Sequence, residues 1–240
     1  MPSLALKLDS VTWLREGKRA RDPDPALAAV LAEQAGADAI VAYLGPSRTG
    51  IRDRDIYVLK EVVKTRLIVE IPPDDQILAV ALEVKPSQVT LVSENRVDPR
   101  GAETLDYSGN FEKICEVTER LRSAGIVVSH FIRPQAEDTK NAARCKVDYV
   151  TLSTLDYASA ESVQEAEEEL EDIERISHLA HKLSMGVHAA GGLTYKNATQ
   201  CAELELIQQI IVGRAVVKRA LMVGIERAVS LMREEMNRKL

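Results

Sequence analysis

Asp9 and Glu70 are the residues best suited to chemistry in this chain of 240 residues. Each stands where a short apolar run ends, and a carboxylate drawn partly out of water can take and give protons near neutral pH. A salt bridge with Arg15 or Arg133 is an equally good structural use for them. A second feature is the stretch Gly186-Val187-His188-Ala189-Ala190-Gly191-Gly192-Leu193-Thr194-Tyr195-Lys196-Asn197, an apolar run entering a glycine pair and then a polar helix start. Paired glycines let backbone N–H groups approach an anion, and a helix start adds a favourable dipole. A tight turn that needs glycine accounts for the pair as well.

Histidine is scarce: His130, His178, His181 and His188. His178 and His181 share a face at helical spacing, but no third ligand is in view, so no metal site is expected. His188 falls mid-strand and reads as a core histidine. No Ser/His/Asp or Cys/His grouping suggests a nucleophile. Cys115, Cys145 and Cys201 show no CxxC spacing and read as reduced packing thiols.

The elements that must position these groups alternate between short buried runs and helical spacing. Strands are expected at 4–9, 38–44, 66–71, 88–93, 126–132 and 147–152, a seventh at the start of the glycine stretch, and an eighth at 203–207. Helices follow at 26–35, behind Asp22-Pro23-Asp24-Pro25, and at 53–64, 74–84, 110–124, 135–145 and 161–183, with an apolar-periodic helix at the C-terminus. The helix at 161–183 carries a run of acidic residues that reads as a solvated face. The polar segment 94–109 is the candidate lid.

Eight strand–helix units in this length imply a parallel sheet closed as a single (β/α)8 TIM barrel with extra helices, one domain over 1–240. An open doubly wound sheet fits less well, because no GxGxxG follows the first strand. Chemistry in a barrel gathers at the C-terminal ends of the strands. Those ends read Asp9-Ser10, Tyr43, Glu70, Ser93-Glu94, Arg133, Ser153-Thr154, Gly191-Gly192 and Ile207-Gln208.

A net charge of −6 and an aromatic content of 4% leave no basic stripe or stacking platform, which argues against nucleic acid as a partner. No apolar run approaches the roughly 20 residues that span a bilayer, and no signal peptide is visible, so a cytoplasmic protein without a membrane partner is expected.

The order of motifs resembles the pyridoxine 5′-phosphate synthase (PdxJ) family. The pieces are Leu8-Asp9 with Leu14-Arg15, Asp22-Pro23-Asp24-Pro25, Glu33 to Asp38, Asp53-Arg54-Asp55, Glu70, Lys85-Pro86, Glu94 with Arg96, Leu121 to Ile126, Tyr157-Ala158, Gly192-Leu193-Thr194-Tyr195 with Asn197, and Gly213-Arg214-Ala215-Val216. They run along the whole chain. The resemblance implies a (β/α)8 enzyme that condenses 1-deoxy-D-xylulose 5-phosphate with 3-amino-2-oxopropyl phosphate by side-chain acid–base steps, with no cofactor and no metal. It also implies a homo-oligomer, at least a dimer.

The family's glutamate after the third strand matches Glu70. Its histidines do not match. The Asp-His pair after the first strand reads Asp9-Ser10, His-x-Arg after the second reads Tyr43-Leu44-Gly45, and a later histidine of that loop reads Gly50. The lid threonine segment reads Pro99-Arg100-Gly101, and the Glu and His of the sixth strand end read Thr151 and Ser153. Ala-Gly-His-Gly-Leu-Thr-Tyr reads Ala189-Ala190-Gly191-Gly192-Leu193-Thr194-Tyr195, and the Gly-His of the phosphate grip after the eighth strand reads Gln208-Gln209. Loss of one general acid–base group lowers rate by about 10²–10⁴-fold. Three uses of the pocket follow: the family's condensation on a rearranged site, a non-catalytic paralogue that binds a ligand or partner, or a different proton-transfer or aldol-type reaction on a small phosphorylated substrate. Glu70 is the catalytic candidate, and Asp9, Tyr43, Gly191, Gly192, Gln208 and Gln209 are the substrate- or anion-binding candidates.

Overall fold

The structure, a computed structural model, describes residues 1–15, 20–93 and 103–238. Its strands are β1 (Ser3–Lys7), β2 (Ala39–Tyr43), β3 (Leu67–Ile71), β4 (Gln88–Leu91), β5 (Val127–Ile132), β6 (Tyr149–Ser153), β7 (Gly186–Ala190) and β8 (Ile207–Val212). All pair in parallel with their sequence neighbours, and β8 returns to β1 with Leu4 opposite Ile210 and Leu6 opposite Val212. The sheet is therefore the closed barrel that the repeat predicts.

Side chains two apart on a strand share a face. One face of each strand meets the helices across a continuous apolar layer that includes Leu4, Leu6, Ile40, Val69, Leu152 and Val187. The other face fills the barrel interior with Ala5, Ala39, Val41, Ile68, Val92, Phe131, Ala190 and Ile211. The small residues among these fit the narrow bore of an eight-stranded barrel.

The outer ring is α1 (Asp9–Thr12), α2 (Pro25–Gln34), α3 (Asp53–Val62), α4 (Asp75–Val84), α5 (Phe111–Ser123), α6 (Ala136–Arg144), α7 (Leu155–Ser159), α8 (Val163–Lys182), α9 (Ala198–Glu203), α10 (Arg214–Val223) and α11 (Ile225–Met236). Side-chain caps set the starts of α2, α4 and α8. The Asp24 carboxylate accepts from Ala26 N at 2.9 Å ahead of Pro25, and Asp74 accepts from Gln76 N and Ile77 N at 2.9 and 3.0 Å. Among the described residues no helix is long and apolar enough to cross a membrane.

Four expectations change. The first strand stops at Lys7, and Asp9 instead opens α1. The eighth strand does not occupy 203–207: Glu203 ends α9, and the strand runs through Ile207–Val212. The alternation of Glu203, Leu204, Glu205 and Leu206 imitates a strand but forms a helix end and a turn. A five-residue helix, α7, follows β6. Cys115, within α5, and Cys145, at the C-cap of α6, are joined in a disulfide, with Cα atoms 4.7 Å apart. That pairing leaves Cys201 as the free, buried thiol.

Of the candidate lid, 94–102 lies outside the described residues, and so do the family-like Glu94 and Arg96 and the segment Pro99-Arg100-Gly101. The described remainder is tied down where Ser93 N donates to Glu103 O (3.1 Å) and Leu105 N to Phe131 O (2.8 Å).

Candidate functional site

A cavity of ≈ 240 Å³ opens at the C-terminal end of the barrel, lined by the ends of β1, β3, β7 and β8 and by the loops that follow them. At its base three charged groups meet. The Lys7 ammonium donates to Glu70 Oε2 in a short contact, and Asp9 Oδ2 lies 3.4 Å from the same Nζ. Both carboxylates are buried, at 4% and 5% exposure. Asp9 is held from the other side as well, since its Oδ1 accepts the Tyr43 N–H at 2.9 Å.

Neither carboxylate takes the arginine partner that the sequence suggests. Arg15 forms a bidentate pair with Asp55 at 2.7 and 3.0 Å, and Arg133 pairs with Asp138 at 3.0 and 3.3 Å. Lys7, which meets both carboxylates, is the residue that sequence reasoning misses. The signal was present: Ser3, Ala5 and Lys7 alternate, so Lys7 shares the inward face with Ala5.

The rim opposite this cluster is made by the glycine loop after β7 and the start of α10. Gly191 and Gly192 have φ of +118° and +68°, conformations that side chains rarely adopt. A Cβ on Gly192 would lie 2.5 Å from the Ala158 Cβ, and one on Gly191 would lie 3.0 Å from Leu155 Cγ. The loop is fixed from below, because the Thr154 hydroxyl donates to Gly191 O at 2.5 Å and Thr154 N donates to Ala190 O at 2.9 Å. Beyond it, Asn197 Oδ1 accepts from Thr194 N at 2.6 Å, and Tyr195 OH donates to Ala228 O at 2.8 Å. Thr194, Tyr195 and Asn197 thus hold the loop's frame, while the glycines face the cavity.

The eighth strand end is Val212, so the residues that follow it are Gly213 and Arg214. Both line the cavity, with Lys218 one helical turn further along α10. These two residues open the family-like run Gly213-Arg214-Ala215-Val216 and place a cation at the cavity rim. Gln208 and Gln209 lie at the other end of β8, away from this cavity. Gln208 is exposed and borders a separate cavity with Gly186 and Tyr149, and Gln209 is fully buried in the barrel interior. Neither lines this cavity.

Tyr43 is partly buried against the barrel interior cluster and is not among the cavity-lining residues. Its ring lies over Gly45, where a Cβ would come within 2.6 Å of the ring and hydroxyl. A side chain at 45 would therefore crowd the Tyr43 ring. Thr151 and Ser153 are also engaged: Thr151 Oγ1 shares a 2.9 Å hydrogen bond with Ser129 Oγ, and Ser153 Oγ accepts from Leu155 N at 3.4 Å.

Among the described residues no histidine lines the cavity. His178 and His181 are exposed on α8. His130 faces the helices, bonded to Tyr107 OH and Thr118 Oγ1, each at 2.8 Å. His188 sits inside the barrel below Ala190, stacked on Tyr149 with ring centroids 4.5 Å apart. Burial depresses both His130 and His188 to about 3; the Arg66 charge adds to the shift of His188. Both imidazoles are neutral at pH 7. Among the described residues no three His, Cys, Asp or Glu side chains converge on a metal position.

Arg48 and Arg133 lie elsewhere: Arg48 pairs with Asp53 at 2.5 Å, and Arg133 is bound to Asp138. Among the described residues the cavity takes its cations from Lys7, Arg214 and Lys218, set against Asp9 and Glu70. An arginine and a lysine beside open backbone N–H groups at a helix start suit a phosphate.

Residues 4–238 match the family model described as pyridoxal phosphate biosynthesis protein PdxJ. The pyridoxine 5′-phosphate synthase of Microcystis aeruginosa is 37% identical over 240 residues, covering 100% of both chains. That of Crocosphaera subtropica is 38% identical over 240 residues, again covering 100% of both. Among solved structures, KGPDC from Streptococcus mutans superposes with a TM-score of 0.68 at 12% identity, over 98% of this chain and 97% of that one, a likeness of fold.

Proposed function

Because the chain belongs to the PdxJ family and is a pyridoxine 5′-phosphate synthase-like barrel, we propose that its cavity binds a small phosphorylated carbonyl compound and that Glu70 moves a proton on it, without the family's ring-closing condensation. One observation carries this reading: Gly191, Gly192, Gly213, Arg214 and Lys218 share a rim suited to phosphate, above a base holding Glu70 and Asp9 and lined by no histidine among the described residues. The binding half of the site fits a phosphate ester. The chemical half keeps one acid–base group of the family set, Glu70, whereas ring closure needs several proton transfers in sequence.

The test is solvent exchange. In heavy water, 1-deoxy-D-xylulose 5-phosphate mixed with the protein should lose the proton signals beside its carbonyl, followed by NMR. Glu70→Gln should slow that exchange by about 10²-fold or more while leaving the ligand bound. Formation of pyridoxine 5′-phosphate from the two family substrates would overturn the reading. The Lys7–Glu70 contact favours a second reading, a pocket that binds and does not react. A ligand that binds but shows no exchange above the buffer rate would select it.

The expected homo-oligomer belongs to the same proposal. Leu221 and Met222 at the end of α10 are 64% and 80% exposed, beside Val223, and an apolar run of this kind suits a subunit contact. Light scattering should return at least a dimer.

A further inference from the structure

Lys7 has no role in the acid–base reading above, yet it occupies the centre of the site. Its Nζ touches Glu70 Oε2 and lies 3.4 Å from Asp9 Oδ2, and the side chain keeps 14% of its surface toward the cavity. A purely structural ion pair is poorly placed here. The interior cluster around it is apolar, with Ala5, Val41, Ile68, Phe131 and Ile211 among its members, and burying two carboxylates and an ammonium costs more than an apolar side chain would. The chain also holds Lys7 in place. Gly213 passes so close that a Cβ there would sit 3.1 Å from the Lys7 Cβ and 3.2 Å from its carbonyl oxygen. A larger residue at 213 would crowd the Lys7 stem, and the contacts to Glu70 and Asp9 keep the amine at the cavity base.

A primary amine beside two proton acceptors, facing an anion clamp across a small cavity, is the equipment for adding to a carbonyl group. We propose that Lys7 forms an imine with the carbonyl carbon of a small phosphorylated aldehyde or ketone whose phosphate is held by Arg214, Lys218 and the glycine loop. This deepens the reading above and rests on its phosphate anchor.

The step balances without an oxidant or reductant. The Lys7 ammonium passes one proton to Glu70, and the freed amine pair forms a C–N bond while the C=O π pair moves to oxygen. Glu70 returns its proton to that oxygen. A second proton leaves nitrogen through Glu70 or Asp9 and joins the hydroxyl, the C–O bond breaks, and water departs. The iminium keeps the third proton and one positive charge, so the total charge is unchanged. An iminium at that carbon draws electrons from its neighbours, and Glu70 is then placed to remove an adjacent proton.

The test is reductive trapping on the whole protein. Dihydroxyacetone phosphate plus borohydride should fix one adduct per chain on the peptide that carries Lys7, read by mass spectrometry. Lys7→Ala and Lys7→Arg should both lose it. The arginine variant keeps the charge pairing, and circular dichroism checks that either variant is folded. Glu70→Gln should slow trapping about tenfold or more. Equal labelling of many lysines, unchanged in Lys7→Arg, overturns the imine. Dihydroxyacetone phosphate that binds by calorimetry, is displaced by inorganic phosphate and is never trapped at Lys7 overturns the imine and leaves the phosphate anchor standing. Trapping at Lys7 that is equally fast with unphosphorylated dihydroxyacetone, and unaffected by Arg214→Ala, supports the imine and overturns the anchor.

Discussion

Position 191 shows how far a single residue can depart from its family's chemistry. With φ at +118° and Leu155 Cγ 3.0 Å from where a Cβ would stand, glycine is the residue that fits. Restoring the family histidine there by Gly191→His should cost about 1–3 kcal/mol in a urea titration and yield no pyridoxine 5′-phosphate. An unchanged midpoint would show that the loop relaxes. The site was only partly readable at this scale. Glu70 and Asp9 were recognisable because a carboxylate at the end of an apolar run is unusual. Lys7 was not, since a lysine at a strand end usually extends into solvent, and the partner that turns it inward is Glu70, 63 residues away.

The element that misleads is β8. Read from sequence, Gln208-Gln209 looks like the polar loop after a strand at 203–207, yet the pair lies inside the strand, and Gln209 is turned into the barrel with its amide nitrogen and oxygen without partners. The strand's bounds are set by its pairing with β7 and β1, which the polar Gln208-Gln209 pair within it hides from a local reading. Gln209→Met should therefore be neutral or stabilising by up to about 1–2 kcal/mol in chemical denaturation, because it removes a buried amide that makes no protein hydrogen bond. A loss above about 2 kcal/mol would show that the amide is satisfied, for instance by ordered water. The capped helices were far more legible. Asp74 and the Asp24-Pro25 pair mark the starts of α4 and α2 through chemistry confined to a few neighbouring residues, whereas α7 is too short to carry a period.

At the scale of the molecule, the barrel as a whole was legible because eight repeats of strand and helix leave few alternatives, while the disulfide and the charged cluster depend on which elements become neighbours. Burial of two neutral histidines sets a pH response for the entire fold. Their native values lie below the ordinary value of about 6.5, so the unfolded chain binds more protons over the intervening range and stability falls as pH is lowered from about 6.5. Between pH 6 and 5 the slope should approach about 1.4 kcal/mol per pH unit for each histidine, and His188→Asn should remove one share. A flat profile would mean that an imidazole is protonated in the fold. Barrel closure has its own consequence. The amine enters with β1 and the anion clamp with α10, and these meet only when β8 docks beside β1, so the pocket is completed by the longest-range pairing in the chain. During synthesis about 200 residues separate the two, or roughly 10–40 s at ordinary elongation rates. A nascent chain therefore carries its reactive lysine through most of translation without the glycines and cations that would present a ligand to it, and ligand capture becomes a clock for the moment the ring shuts.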